Sequence, residues 1–116
     1  MYSVIEQFVA WLGTAGYTAS TYPPKTAISE FVTVERTGGN VEDLVDHPTI
    51  AIQTWATTEA RAEEMAIEIR NLLAATSKPY GVSKATVNSG PYAFWDESTG
   101  RPRYQTVYDC TAQLTD

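Results

Sequence analysis

Residues 49–79, TIAIQTWATTEARAEEMAIEIRNLLAATSKP, set the architecture because their apolar residues change from a two-residue to a 3.6-residue repeat. From about residue 58 to 76 the repeat is helical, after a capping Thr57 or Thr58 and before Pro79. The preceding strand, residues 49–55, has one face of Ile50, Ile52 and Thr54 and another of Ala51, Gln53 and Trp55. The apolar face of the predicted helix consists of Ala62, Met65, Ala66, Ile69, Leu72 and Leu73. A strand that leads into an amphipathic helix predicts a helix packed on a sheet.

Upstream of this stretch, the chain predicts one more helix and two more strands. Residues 3–12 follow a helical apolar repeat, and Ser3 with Glu6 has the spacing of a capping box. Residues 17–22 are rich in Thr and Tyr and precede two prolines, which predicts a short edge strand. Residues 28–36 are rich in β-branched side chains and predict a further strand.

The remaining segments complete the predicted fold. Residues 37–40, TGGN, predict a turn and residues 41–48 a loop. After the long helix, residues 82–88 predict a strand, residues 90–104 a long hairpin loop and residues 104–114 the last strand. The order α-β-β-β-α-β-β with hairpin-length connections predicts an α+β fold, with a mostly antiparallel β-sheet and two α-helices packed on one face. At this length we expect a single domain, 1–116.

Composition argues against several classes of function. The formal net charge is −6, with 8 basic and 14 acidic residues, so we expect neither a nucleic-acid-binding surface nor attraction to anionic membranes. Apolar runs fall short of the roughly 20 residues of a membrane span. The start, Met1-Tyr2-Ser3-Val4, has no basic leader, which predicts no signal peptide. The single cysteine, Cys110, permits no intramolecular disulfide and fits a reducing compartment.

No set of residues in the sequence indicates catalysis, a metal site or a cofactor site. His47 is the only histidine and follows Asp46 in the predicted loop, but a catalytic triad also needs a placed nucleophile and oxyanion donors. Cys110 falls within the last predicted strand, and a reactive thiol would need a nearby cation. Gly38-Gly39 lacks the Lys and Ser or Thr of a phosphate loop. We therefore predict a protein that is not an enzyme and that uses no metal ion or cofactor.

The segment 90–104 concentrates Tyr, Trp and Arg, the residue types that dominate binding hot spots. Its aromatic residues can close the hairpin by cross-strand packing or contact a partner, and the two roles are compatible. For Arg101 and Arg103, ion pairs with a neighbouring subunit and solvent exposure are alternative roles. The candidate subunit or partner interface consists of Tyr92, Phe94, Trp95, Arg101, Arg103 and His47.

Four segments, taken in their order and spacing, carry a resemblance to a known family. They are the loop Tyr22-Pro23-Pro24 after the first helix, the strand and turn from Val32 to Gly39, the strand from His47 to Ala56 with the helix from Glu59 to Leu73, and the turn Ser89-Gly90-Pro91-Tyr92 with Gly100 to Gln105. Together they cover nearly the whole chain, and none is a catalytic signature. On these residues the chain resembles the small tail terminator (tail-completion or minor tail) proteins of long-tailed phages, especially phages that infect actinobacteria.

The resemblance implies a structural virion protein that is assembled in the host cytoplasm. Proteins of this family form a ring, usually a homohexamer, on the head-proximal end of the tail tube. The ring stops polymerisation of the tail tube protein and presents a face to the head-completion protein. Genomic DNA passes through the lumen without sequence-specific binding, and we hypothesise that acidic side chains line that lumen. Ring contacts are heterologous, and we expect the 90–104 hairpin and the 37–48 loop to supply parts of them.

Two other functions compete with this expectation. A head-closure or neck connector protein would share the location and the absence of chemistry, but such proteins more often show a small β-barrel or an all-helical pattern. A small ligand-binding or hydrolase α+β domain would need a convergent polar pocket, for which His47 and Cys110 are the candidates.

Overall fold

The computed structural model describes residues 1–26, 28–75 and 77–115, and within them five strands form one sheet accompanied by two helices. The strand order is β1-β2-β3-β5-β4, and every neighbouring pair is antiparallel except β1 with β2. The predicted α+β fold with a mostly antiparallel sheet is therefore confirmed. The elements are α1 Val4–Thr14, β1 Ala19–Ser20, β2 Phe31–Glu42, β3 Val45–Trp55, α2 Glu59–Ala75, β4 Val82–Ala93 and β5 Arg103–Gln113.

Both helices begin where hydroxyl side chains cap them. The Ser3 hydroxyl accepts a hydrogen bond from the Glu6 amide at 3.3 Å, and the Thr58 hydroxyl accepts one from the Arg61 amide at 3.2 Å. The apolar faces of both helices share one core with one face of the sheet. The helices contribute Val4, Phe8, Leu12, Ala62, Met65, Ile69 and Leu73, and the sheet contributes Val32, Val34, Ile50, Ile52, Tyr108, Cys110 and Ala112.

Strand β3 lies in the middle of the sheet and is covered on both faces. Residues 50–56 are all buried. Ile50 and Ile52 lie under the helices, and the Thr54 hydroxyl donates a hydrogen bond to the Ala62 carbonyl of α2 at 2.8 Å. Gln53 and Trp55 alternate with these residues and lie on the opposite face, which is hereafter called the helix-free face. Their burial therefore requires a cover other than a helix.

The predicted turn at 37–40 and the predicted loop at 41–48 are wrong. β2 continues through these residues to Glu42, β3 begins at Val45, and the hairpin turns at Asp43-Leu44. The Gly pair marks a β-bulge, because the β2–β3 register shifts between Arg36 and Gly38. Gly39 has a φ of 105°, and a Cβ there would collide with the His47 carbonyl of β3. Glycine was thus required by close approach to the neighbouring strand.

The other predicted element boundaries differ less from those in the structure. β4 extends to Ala93, so the predicted 90–104 loop contracts to residues 94–102. The edge strand predicted at 17–22 is present as β1, with only two residues paired to β2. The predicted end of the long helix at residue 76 lies outside the described residues. No helix within the described ranges is both long and apolar enough to cross a membrane.

The β2–β3 turn holds a leucine in a backbone conformation that usually belongs to glycine. Asp43 and Leu44 have φ of 54° and 64°, as in a type I′ turn, whose favoured sequences are Asn-Gly and Asp-Gly. Leu44 is 83% exposed, so its side chain gains little burial in return for the strain. We expect Leu44→Gly to raise the free energy of unfolding by about 0.5–1 kcal/mol, because the relief of strain exceeds the added entropy of the unfolded chain.

Urea denaturation of the wild type and the variant measures this change. Leu114→Gly is the matched control, since Leu114 is also exposed but has no positive φ. A Leu44→Gly protein no more stable than the wild type would contradict the assignment of strain to this turn.

Candidate functional site

The helix-free face carries a cleft of about 540 Å³ at the end of the sheet where β3 finishes and β5 begins. Its floor is formed by β2 and β3, and its walls are the loop 21–26 and the hairpin 94–103. These two walls cover Gln53 and Trp55 of β3 on the helix-free face. The residues that line the floor and the walls include Lys25, Phe31, Thr33, Glu35, Gln53, Trp55, Phe94, Asp96, Arg101 and Arg103.

A hydrogen-bond network crosses the floor, and the Gln53 amide at its centre joins three strands, β2, β3 and β5. Gln53 Oε1 accepts from the Thr33 hydroxyl at 2.7 Å, and Gln53 Nε2 donates to Gln105 Oε1 at 2.7 Å and to Glu35 Oε1 at 3.0 Å. The network continues outward, since Trp55 Nε1 donates to Thr33 and Gln105 Nε2 donates to the Tyr92 hydroxyl. Every polar atom of the Gln53 amide is therefore satisfied although the residue is buried.

Aromatic rings and guanidinium groups stack where the floor of the cleft meets the hairpin, and this group of Phe31, Trp55, Phe94, Arg101 and Arg103 is hereafter called the stacked wall. The Phe31 and Trp55 rings stack with their centroids 5.0 Å apart. The Arg103 guanidinium lies 4.7 Å from the Trp55 centroid and 4.4 Å from the Phe94 centroid, so it is held between the two rings. The Arg101 guanidinium lies 5.1 Å from the Phe31 centroid. Each such contact stabilises a cation by roughly 0.5–2 kcal/mol, depending on its desolvation.

Arg101 also ties the hairpin wall to the segment that leads into β2. Its Nη2 donates to the carbonyls of Ile28 and Ser29, which belong to the segment just before β2, at 3.1 and 2.9 Å. At the hairpin tip, hydrogen bonds from the Thr99 and Ser98 hydroxyls, with the charge of Arg103, lower the pKa of the Asp96 carboxyl. Asp96 therefore stays ionised across the neutral range, and its charge helps to hold the loop closed.

The structure brings most of the predicted interface residues together, but in contacts within the protomer. Tyr92, Phe94, Arg101 and Arg103 all belong to the network or the stacked wall. Cross-strand contacts are thus present for Tyr92 with Gln105 and for Phe94 with Arg103. Whether the two arginines also pair with a neighbouring subunit stays a prediction. Substituting either arginine would disturb the cleft itself, so such variants test folding as much as association.

Trp95 and His47 lie apart from this group. Trp95 is 47% exposed and is not among the residues that line the cleft. His47 lies near the other end of β3, eight residues from Trp55, which corresponds to ~26 Å along the strand. The predicted interface therefore splits into two regions at opposite ends of the sheet.

Sequence reasoning missed the residues that form the floor of the cleft. Phe31, Thr33 and Glu35 in the floor gave no local signal of a site, and neither did Lys25 in the loop wall. Gln53 and Trp55 did give a local signal of a site. A large amide and an indole on the helix-free face of a central strand need a polar and aromatic cover. That face could be identified from the alternation of residues 49–55, but its cover could not.

His47 and Cys110 line a second, smaller hollow of about 280 Å³ at the far end of the helix-free face. Cys110 is 4% exposed and belongs to the core, and burial followed by the charge of Asp109 raises its pKa to about 12. The thiol is therefore protonated at neutral pH and is a poor nucleophile. Asp46 is held by two hydrogen bonds of 2.8 Å from Arg36. It alternates with His47 along β3 and does not orient the imidazole.

Among residues 1–26, 28–75 and 77–115, no group of three or more His, Cys, Asp or Glu side chains is placed to hold a metal ion. The chain matches no protein-family model and no curated protein sequence.

The Gln53 network should make a large contribution to stability. Gln53→Leu keeps the side-chain size but leaves the Thr33 hydroxyl, Gln105 Oε1 and the Glu35 carboxylate without their partner. We expect the free energy of unfolding to fall by about 2–4 kcal/mol, measured by urea denaturation. Gln113→Leu is the matched control, since within the described residues that side chain bonds only to the nearby Thr115 carbonyl. Equal losses in the two variants would contradict a special role for the network.

The Cys110 thiol should be almost inert in the folded protein. With a pKa near 12 instead of 9.0, the thiolate fraction at pH 8 falls by roughly a thousandfold, and burial restricts access further. We expect Ellman's reagent to label Cys110 only after unfolding in guanidinium. Leu44→Cys provides an exposed thiol on the same chain and should react at once. Rapid labelling of native wild-type protein would contradict this prediction.

Proposed function

We propose that the chain is a structural virion protein of the tail terminator type, which caps the head-proximal end of a phage tail tube as a ring and joins the tail to the head. Its partners in this function are further copies of itself, most simply six, the tail tube protein and the head-completion protein. The order of the four resembling segments supports the proposal, and the fold accommodates each of them in one sheet and two helices.

The observation that carries the proposal is the long unpaired edge of β2. β1 pairs with β2 only at Val32 and Thr33, and β3 occupies the other side of β2. Within the described residues, the outer side of β2 from Glu35 to Glu42 has no neighbouring strand, and all eight of these residues are exposed. An unpaired edge offers backbone donors and acceptors to another chain. The protomer thus leaves a large part of its sheet available for assembly.

The two edges of the sheet are different, which favours head-to-tail contacts over a symmetric dimer. β2 has one bulge along its length, whereas the β4–β5 register shifts three times along β4. Bulges and charges such as Glu35, Arg36 and Lys84 limit uncontrolled pairing of the edges. Contacts between unlike surfaces are heterologous, and they produce a closed ring when the rotation between copies closes.

The charge distribution on α2 is compatible with a DNA passage, although part of its acidic charge is compensated. Glu64 and Glu68 form ion pairs with Arg61, which also binds Glu30. Glu63 remains exposed on the same helix. If α2 faces the lumen of the ring, its residual negative charge would keep DNA from binding to the wall.

One observation favours a second candidate function. The 540 Å³ cleft lies within the ~300–1,000 Å³ range of small-molecule sites and contains aromatic, amide and charged groups. A ligand-binding α+β domain is therefore the alternative proposal. The head-closure or neck connector alternative would share the ring but would not act on the tail tube.

The decisive experiment combines solution mass with tube capping. We expect light scattering to show a discrete oligomer whose population rises with concentration, and electron microscopy to show rings with a central hole. Adding the chain to a polymerising tail tube protein from the same genome should shorten the tubes and place a ring at one end.

Each alternative predicts a different result. Rings that leave tube length unchanged would favour the head-closure alternative. A strict monomer that does not affect tubes would contradict the proposed function and favour ligand binding. Thermal shifts with carboxylate and phosphate compounds would then be the next measurement.

A further inference from the structure

The tip of the β2–β3 hairpin, residues 41–44, has properties that its own protomer does not use. Val41 is 52% and Leu44 is 83% exposed, and Glu42 and Asp43 have no ion-pair partner within the described residues. Leu44 is also held at a positive φ where glycine is favoured. Backbone strain that gives no benefit within the protomer points to a function between protomers.

The cleft at the opposite end of the sheet is complementary to this tip. Its charged side chains are Lys25, Arg101 and Arg103 against Glu35 and Asp96, so it carries net positive charge in a chain of net charge −6. Glu35 is bonded to Gln53, and Asp96 to its own loop. Lys25 is exposed and has no ion-pair partner within the described residues. The Phe94 ring at the rim is 43% exposed and offers an apolar contact.

Within one protomer the tip and the cleft cannot meet. β3 runs from Val45 beside the tip to Trp55 in the floor of the cleft, which is ~33 Å along the strand. The molecule is 42 Å long and 26 Å wide, so the two features occupy opposite ends of its long axis. A contact between them must therefore join two copies, and it must be heterologous.

We infer that the hairpin tip of one copy docks in the cleft of the next copy, with Leu44 against the aromatic rim and Glu42 or Asp43 near Lys25. This inference rests on the proposed ring and specifies the contact that builds it. A free carboxylate ligand would explain the positive cleft but not the exposed, strained leucine. A second copy accounts for both features with one contact.

Disulfide trapping tests the contact directly. In the double variant Leu44→Cys with Lys25→Cys, the two new thiols are too far apart within a protomer to form a disulfide, which needs Cα atoms within about 7 Å. Oxidation should therefore produce a covalent ladder on a non-reducing gel, ending at the ring size. The buried Cys110 thiol contributes no background. The control pairs Leu44→Cys with Asn71→Cys, an exposed position on α2, and should give no ladder.

Charge exchange provides an independent test in the reduced protein. We expect Glu42→Lys and Lys25→Glu each to weaken self-association by about tenfold, and the double variant to recover most of the loss. Leu44→Gly should weaken association by a similar factor while it does not reduce folding stability. A variant that folds at least as well but assembles less well identifies an assembly residue.

The outcomes separate this inference from the proposed function. If the wild type never associates and never caps tubes, the proposed function fails and the contact fails with it. If the wild type forms rings but the ladder is absent and the variants associate normally, the ring stands and the contact is overturned. If Lys25→Glu weakens association while Glu42→Lys and Leu44→Gly do not, the cleft binds something other than the tip, which also overturns the inference.

Discussion

A buried amide on the central strand is the constraint on which the rest of this structure depends. Gln53 lies on the face of β3 that no helix covers, and it is 4% exposed. Burying an amide without partners costs several kcal/mol, so Gln53 must satisfy its donors and acceptor inside the protein. It does so only if β2, β3 and β5 pair in the observed register, which brings Thr33, Glu35 and Gln105 to the same level of the sheet. The network therefore specifies strand order and register on a face where apolar packing alone would specify less.

The two faces of the sheet are stabilised by different means, and this difference creates the cleft. One face is covered by α1 and α2 through a continuous apolar core. The other is covered near Trp55 by a loop and a hairpin, which are held by stacked guanidinium groups and by the Arg101 bonds to backbone carbonyls. The loop and the hairpin leave a space of about 540 Å³ between them. Arg101 and Arg103 support that space through their contacts with rings and backbone carbonyls of the same protomer.

The remaining surface is organised along the strand direction. Long strands carry the β2–β3 hairpin to one end of the molecule and leave the outer side of β2 unpaired. At that end the chain exposes apolar and acidic side chains on a strained turn, and at the other end it holds a cationic, aromatic cleft. The proposed head-to-tail contact would join these two unlike ends of neighbouring copies. In that contact the local charges would provide the specificity.

By itself the sequence determined the fold class and the positions of β3 and α2, because periodicity is a property of neighbouring residues. The alternation of residues 49–55 and the helical repeat that follows it were sufficient for β3 and α2. Tertiary structure alone decided what the Gly38-Gly39 pair and the arginines do. A turn and a bulge have the same local signal, and only the approach of β3 makes the pair a bulge. The Gln53–Gln105 and Arg101–Ile28 bonds join residues 52 and 73 positions apart, and no local pattern encodes such pairings.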